Sequence, residues 1–262
     1  MRPYIIVLNY CIPSYGLSIL IGLVLANLIG FSLVKKYQGD GNDLIICEGY
    51  VLLGAIVGAK ILYLWVSRKQ IMWENILDLE YFNTLMKGGF VFYGGLIGGL
   101  ICLAIGGKLH KIELSFYIRK FIFLIPFVHG FGRIGCFLAG CCYGKPYHGI
   151  GAVEFPADSF APAGISLFPV QLLEAMILFL LSLFVFILSV NKRTESLSMI
   201  VYLIGYSIIR FVLEFFRYDR NERGYFFYLS TSQWISLVLL VLTVVYIFLA
   251  FLQKNLRQLS QN

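Results

Sequence analysis

Seven stretches of this chain are apolar and long enough to cross a bilayer, and they decide what it can fold into. They fall near residues 13–34, 44–66, 88–107, 119–140, 169–190, 198–217 and 228–252. A hydrocarbon core takes about 20 helical residues to cross, and inside it each backbone amide must be bonded within its own segment. The expected fold is therefore all-α: a polytopic membrane protein with about seven transmembrane helices. Apolar residues make up 59% of the chain and charged residues 13%, which excludes an ordinary soluble domain. The first run is long and has no small-residue cleavage site, so it reads as a retained span. The net charge of +7 is scattered, without a basic tail or stripe, which fits contact with anionic membrane lipids and not with nucleic acid. No internal repeat is visible, and residues 1–262 read as a single integral membrane domain.

Two connections are long. Residues 67–87 carry Trp73, Tyr81 and Phe82 among charges and read as an amphipathic segment at the interface. Residues 141–168 are rich in Gly, Pro and Ala and read as an ordered extracytoplasmic loop. Lys35, Lys36, Lys108, Lys111, Lys192, Arg193, Lys254 and Arg257 fall on one side of the alternating spans. By the positive-inside rule that side is cytoplasmic, so the N-terminus is expected outside and the C-terminus inside a bacterial plasma (inner) membrane. Arg68, Lys69, Arg220 and Arg223 oppose that orientation.

Charged residues inside these runs are the candidates for chemistry. Arg133 lies well inside the fourth run, where a charge persists only beside a partner, water or an anionic ligand. His129 is four residues earlier, on the same helical face. Arg210, Glu214 and Arg217 share one face at the end of the sixth run. Arginines from two helices make a phosphate clamp, because the planar fork bonds phosphate oxygens in pairs. Glu174 follows Pro169 and Gln171 at the start of the fifth run, where it caps that helix or orients an arginine or a substrate hydroxyl. Tyr15 opens the first run, and Tyr93-Gly94-Gly95 lies in the third; both tyrosines also read as interface anchors. Lys60, in the second run, reads as a snorkelling lysine that cannot pair with Glu48 at its spacing.

Six cysteines are present. Cys11, Cys47 and Cys102 are isolated and read as small buried hydrophobes. Cys136, Cys141 and Cys142 cluster beside Arg133, but their spacing matches no zinc or Cys-x-x-Cys pattern, and no metal or cofactor is expected.

These residues resemble a family. Arg133-Ile-Gly-x-Phe leading to Gly144, followed by Arg210-Phe-x-x-Glu-x-x-Arg217, looks like the prolipoprotein diacylglyceryl transferases. Tyr15-Gly16, Gly58-Ala59-Lys60, Gly94-Gly95-Leu96-Ile97-Gly98 and Pro169-x-Gln171-Leu172-x-Glu174 are similar to further family segments in the same order. Tyr93 stands where the family has a histidine, Cys136 and Ala139 where it has asparagines, and Cys141 where it has a glutamate.

The resemblance implies a seven-span enzyme that moves diacylglycerol from phosphatidylglycerol to the thiol of a prolipoprotein lipobox cysteine, forming a thioether. It implies Arg133, Glu174, Arg210 and Glu214 as catalytic residues, and His129, one turn from Arg133, is expected to act with them where the family's histidine is missing. Tyr15, Tyr93, Gly94, Gly95, Cys136, Cys141, Gly144, Gln171 and Arg217 are then the substrate-binding residues. The chemistry needs positive charge at the leaving phosphate and a base for the thiol, a part His129 fits. Two alternatives stand beside it: the same donor with another thiol or nucleophile as acceptor, and a membrane thiol-redox or sensor protein built on the three clustered cysteines.

Overall fold

The computed structural model describes residues 2–7, 10–218 and 225–259. Arg220 and Arg223, which bear on orientation, lie outside the described residues. Nine α-helices carry the described chain: α1 Ser14–Lys36, α2 Gly41–Val66, α3 Leu79–Lys87, α4 Phe92–Leu109, α5 Leu114–Phe121, α6 Leu124–Ala139, α7 Val170–Val190, α8 Ser198–Leu213 and α9 Thr231–Leu259. Three short antiparallel hairpins accompany them: β1 Tyr4–Val7 with β2 Tyr10–Pro13, β3 Val153–Glu154 with β4 Ser166–Leu167, and β5 Tyr225–Phe226 with β6 Leu229–Ser230.

The protein is an all-α polytopic membrane protein. Among the described residues, five helices are long and apolar enough to span: Ser14–Lys36, Gly41–Val66, Val170–Val190, Glu195–Phe216 and Thr231–Gln253. A sixth span is formed if α5 and α6 count together, across a bend of 53°. The remaining apolar helix, Tyr93–Leu109, is shorter than the others, so by length and composition the count stands at five or six where about seven were expected.

The chain folds into two compact units. The first comprises Met1–Gly30 and Ile118–Asn262, and the second Phe31–Tyr117.

In the second unit, α2 and α4 meet through paired glycines. A Cβ on Gly58 would lie 2.3 Å from the Gly94 carbonyl oxygen, and one on Gly98 would lie 2.2 Å from that of Gly54. Lipid tails are as apolar as leucine, so close backbone packing through small residues is what holds such a pair. Lys60 does more than snorkel. Its Nζ donates to the carbonyls of Met86 at 3.3 Å and Gly88 at 2.6 Å, and also to that of Leu85. These are the C-terminal carbonyls of α3 and its end, which have no partners within the helix. Segment 67–87 forms a 3₁₀ turn at Trp73–Asn75 and then α3, capped by Asp78, which accepts from the Glu80 amide at 2.9 Å.

In the first unit, α6 packs on α7 and α7 on α8. Gly130 makes room for Phe179, since a Cβ there would sit 2.7 Å from its ring. Gly135 lies against α1, where a Cβ would come 3.0 Å from the Tyr15 backbone. Loop 141–168 is anchored by β3–β4 and by a small core of Phe155, Ala161 and Leu167, with Phe137, Tyr143 and Val153 packed on it.

Candidate functional site

Three helices of the first unit bring polar stripes to one place. On α6 the stripe is His129, Arg133 and Cys136; on α7 it is Gln171 and Glu174. On α8 it runs through Ser198, Tyr202, Tyr206 and Arg210 to Glu214 at steps of four residues. Residues four apart on a helix lie one above the other.

Their meeting point is Glu174, which is 2% exposed. Its Oε1 lies 3.0 Å from Arg133 Nη2 and 3.8 Å from Arg210 Nη1. Arg210 Nη2 also reaches Glu214 Oε2 at 2.7 Å and donates to Ser232 Oγ on α9 at 3.1 Å. Both glutamates are buried, as are Arg210 and Arg217. Charges removed from water persist when each has an opposite partner in good geometry. The pairing is incomplete, however. Arg133 Nε and Arg210 Nη1 are buried without a hydrogen-bond partner, as are Gln171 Oε1 and Ser207 Oγ. Arg133, Arg210 and Arg217 against Glu174 and Glu214 leave a formal surplus of one positive charge among these five residues.

The end of α6 shapes the second half of the site. Gly140 adopts the left-handed conformation at φ 75°, its amide donates to Phe137 O at 3.2 Å, and the Cys141 amide donates to Cys136 O at 3.1 Å. This is a Schellman cap, which folds the chain back over the last helical turn. Cys142 follows at φ 59°. Cys136, Cys141 and Cys142 thereby bring their sulfurs within 4.8 Å of one another, hydrogen-bonded among themselves. Hydrogen bonds from Cys136 and Cys141 hold the Cys142 thiol well below its usual range, and Arg217 and Arg133 act in the same direction. Gln171 Nε2, in the first turn of α7, donates to Cys141 O at 2.9 Å.

Residues 143–147 then run between two other segments. The Lys145 amide donates to Phe216 O and the Tyr218 amide to Tyr143 O, while the Phe168 amide donates to Lys145 O and the Tyr147 amide to Ser166 O. Gly144 forms a bridge with Arg217, and any Cβ on it would lie 2.3 Å from Phe168 O. The loop thus fixes the backbone of Arg217, whose charge acts on Cys142.

The expected residues His129, Arg133, Glu174, Arg210, Glu214, Tyr15, Cys136, Cys141, Gly144, Gln171 and Arg217 all lie in this unit. His129 is within electrostatic reach of Arg133, Glu174 and Arg210, and its ring lies 5.6 Å from that of Tyr206. Tyr15 lies within electrostatic reach of Arg133 and all three clustered cysteines. Tyr93, Gly94 and Gly95 belong to the other unit, where Gly94 and Gly95 lie against the α2 backbone. Tyr206 and Ser232 escaped the sequence reading. Counting back from Arg210 by four along α8 would have found Tyr206; Ser232 carries no such signal.

The model of a family described as prolipoprotein diacylglyceryl transferase matches residues 3–249. "Phosphatidylglycerol--prolipoprotein diacylglyceryl transferase 2" of Clostridium perfringens (strain 13 / Type A) is 35% identical over 88% of this chain and 88% of its own length. "Phosphatidylglycerol--prolipoprotein diacylglyceryl transferase" of Clostridium tetani (strain Massachusetts / E88) is 36% identical over 89% of this chain and 91% of its own length. With a match that runs almost end to end, this chain belongs to the prolipoprotein diacylglyceryl transferase family.

Proposed function

We propose that this chain is a phosphatidylglycerol–prolipoprotein diacylglyceryl transferase. It takes the diacylglyceryl group from phosphatidylglycerol and places it on the thiol of a prolipoprotein lipobox cysteine. The names of the relatives support the substrates. The observation that carries the phosphate site is the pair of unmet guanidinium donors, Arg133 Nε and Arg210 Nη1, on two arginines held by one carboxylate.

In the reaction the acceptor sulfur attacks the terminal glycerol carbon of the diacylglyceryl group. A C–S bond forms, the C–O bond to phosphate breaks, and glycerol phosphate leaves with the bonding pair. Arg133 and Arg210 receive the charge that grows on that phosphate, where fixed donors in a dry site are most effective. Glu174 and Glu214 position the guanidiniums by ion pairing. His129 takes the thiol proton. Gln171 and Gly144 fix the loop that carries Cys141 and lies over Arg217.

The protein sits in a bacterial plasma membrane with its N-terminus outside and its C-terminus in the cytoplasm. Lysines such as Lys35 and Lys36, in the last turn of α1, favour that side as cytoplasmic. The cysteine end of α6 and loop 141–168 then face the outer surface.

The test is direct. Purified protein in vesicles of phosphatidylglycerol carrying an isotopic label in its diacylglyceryl group is given a lipobox peptide, and the peptide is weighed by mass spectrometry. The labelled diacylglyceryl mass should appear on the cysteine peptide and be absent from its serine counterpart. An unmodified cysteine peptide, with the protein folded and the donor present, would overturn the assignment.

A further inference from the structure

The three clustered cysteines stand out because nothing in the transfer chemistry above requires them. Their sulfurs lie within 4.8 Å of one another, on a rigid platform made by the glycine cap of α6 and the left-handed Cys142. None of the three is in a disulfide, and Cys136 is buried. Zinc binds thiolate at about 2.3 Å, so a tetrahedral ion holds its sulfurs roughly 3.8 Å apart. Less than about an ångström of closure separates the observed triangle from that geometry.

The surroundings match the charge of such a site. Zinc with three thiolates carries one net negative charge, and buried charge needs an opposite partner. Arg217 and Arg133 act on Cys142, and Arg133 on Cys136. A disulfide is a poorer match, because an odd set of three leaves one thiol over.

We propose that Cys136, Cys141 and Cys142 bind one Zn²⁺ through three thiolates, with the fourth position open to the thiol of the acceptor. Three protein ligands and an open fourth position are the arrangement of catalytic zinc, whereas structural sites are closed by four. Cys141 also lines a cavity of about 300 Å³ together with Tyr4, Pro13, Tyr15, Ala139 and Phe160. A thiol entering that cavity meets the metal from the Cys141 side. On binding zinc it gives up its proton, which passes to His129, and stays as a thiolate, the form that attacks carbon. The fourth-ligand part rests on the reading of the chain as a transferase to a thiol; the zinc site itself does not.

The full-length protein, purified in detergent with reductant and without added metal, is analysed for metals by mass spectrometry. Close to one zinc per chain is expected. It should be lost in Cys142→Ser and in Cys141→Ser and kept in Cys102→Ser, which belongs to the other unit. Wild-type protein without zinc, with copper in its place, or with a disulfide among the three cysteines would overturn the site. The wild-type content decides this even if a serine variant misfolds.

The protein is then loaded with Co²⁺, whose thiolate charge-transfer bands report the ligand set. A cysteine lipobox peptide should change those bands and its serine counterpart should not. Unchanged bands with the cysteine peptide would overturn the fourth-ligand assignment. Zinc binding that persists in protein unable to transfer diacylglycerol would instead count against the transferase reading and leave the metal site standing.

Discussion

Glu174 Oε1 on α7 lies 3.0 Å from Arg133 Nη2 on α6, with 2% of the glutamate side chain and 12% of the arginine side chain exposed. The same oxygen lies 3.8 Å from Arg210 on α8, so one carboxylate ties three helices together. Removing one member of a buried ion pair strands the other charge and costs about 3–5 kcal/mol. Glu174→Ala should therefore lower the thermal unfolding midpoint sharply in detergent, and more than the exposed substitution Glu154→Ala. Equal midpoints would mean that Glu174 does not balance the arginines.

Lysine replacements separate charge from geometry at the phosphate site. Arg133→Lys and Arg210→Lys keep one positive charge each but lose the planar fork. Each should reduce turnover about 10²–10³-fold, the usual cost of one lost donor to a developing anion. The measure is kcat with saturating phosphatidylglycerol in mixed micelles. Near-normal kcat in both variants would dissolve the clamp.

His129 is assigned as the proton acceptor. His129→Ala should lower kcat by about 10²–10⁴-fold while KM for phosphatidylglycerol stays close to the wild-type value. A base must be deprotonated to act, so wild-type activity should fall on the acid side of the pH–rate profile. That limb should vanish in the variant. An unchanged profile would pass the role to another group, and Tyr206 beside the His129 ring is the first to test.

The glycines of α2 divide into two kinds. Gly58 meets the Gly94 carbonyl, whereas a Cβ on Gly49 would find nothing within 4 Å. Gly58→Ala should destabilise the fold by about 1–3 kcal/mol through overpacking against backbone that has nowhere to move. Gly49→Ala should instead be neutral or stabilise the helix by up to about 1 kcal/mol. Thermal unfolding of the two variants under one condition compares them, and equal losses would refute the packing account.

By itself the sequence determined the all-α membrane class, the place of most spans and the pairing of residues four apart on one helix. The bilayer sets the length and apolarity of a span, and both are written along the chain, so α1, α2, α7, α8 and α9 lie close to where the apolar runs put them. The Arg210–Glu214 pair was equally legible, because four residues on one helix make one face. Tertiary structure alone decided that Glu174 stands between Arg133 and Arg210, since three helices can be turned about their axes without changing any run of residues. It also decided what Lys60 does, because the carbonyls it caps arrive from α3, a segment 25 to 28 residues further on. The cysteines lie between these cases. No metal spacing links Cys136 to Cys141 and Cys142, and it took the left-handed backbone at Gly140 and Cys142 to fold those thiols back onto the end of α6.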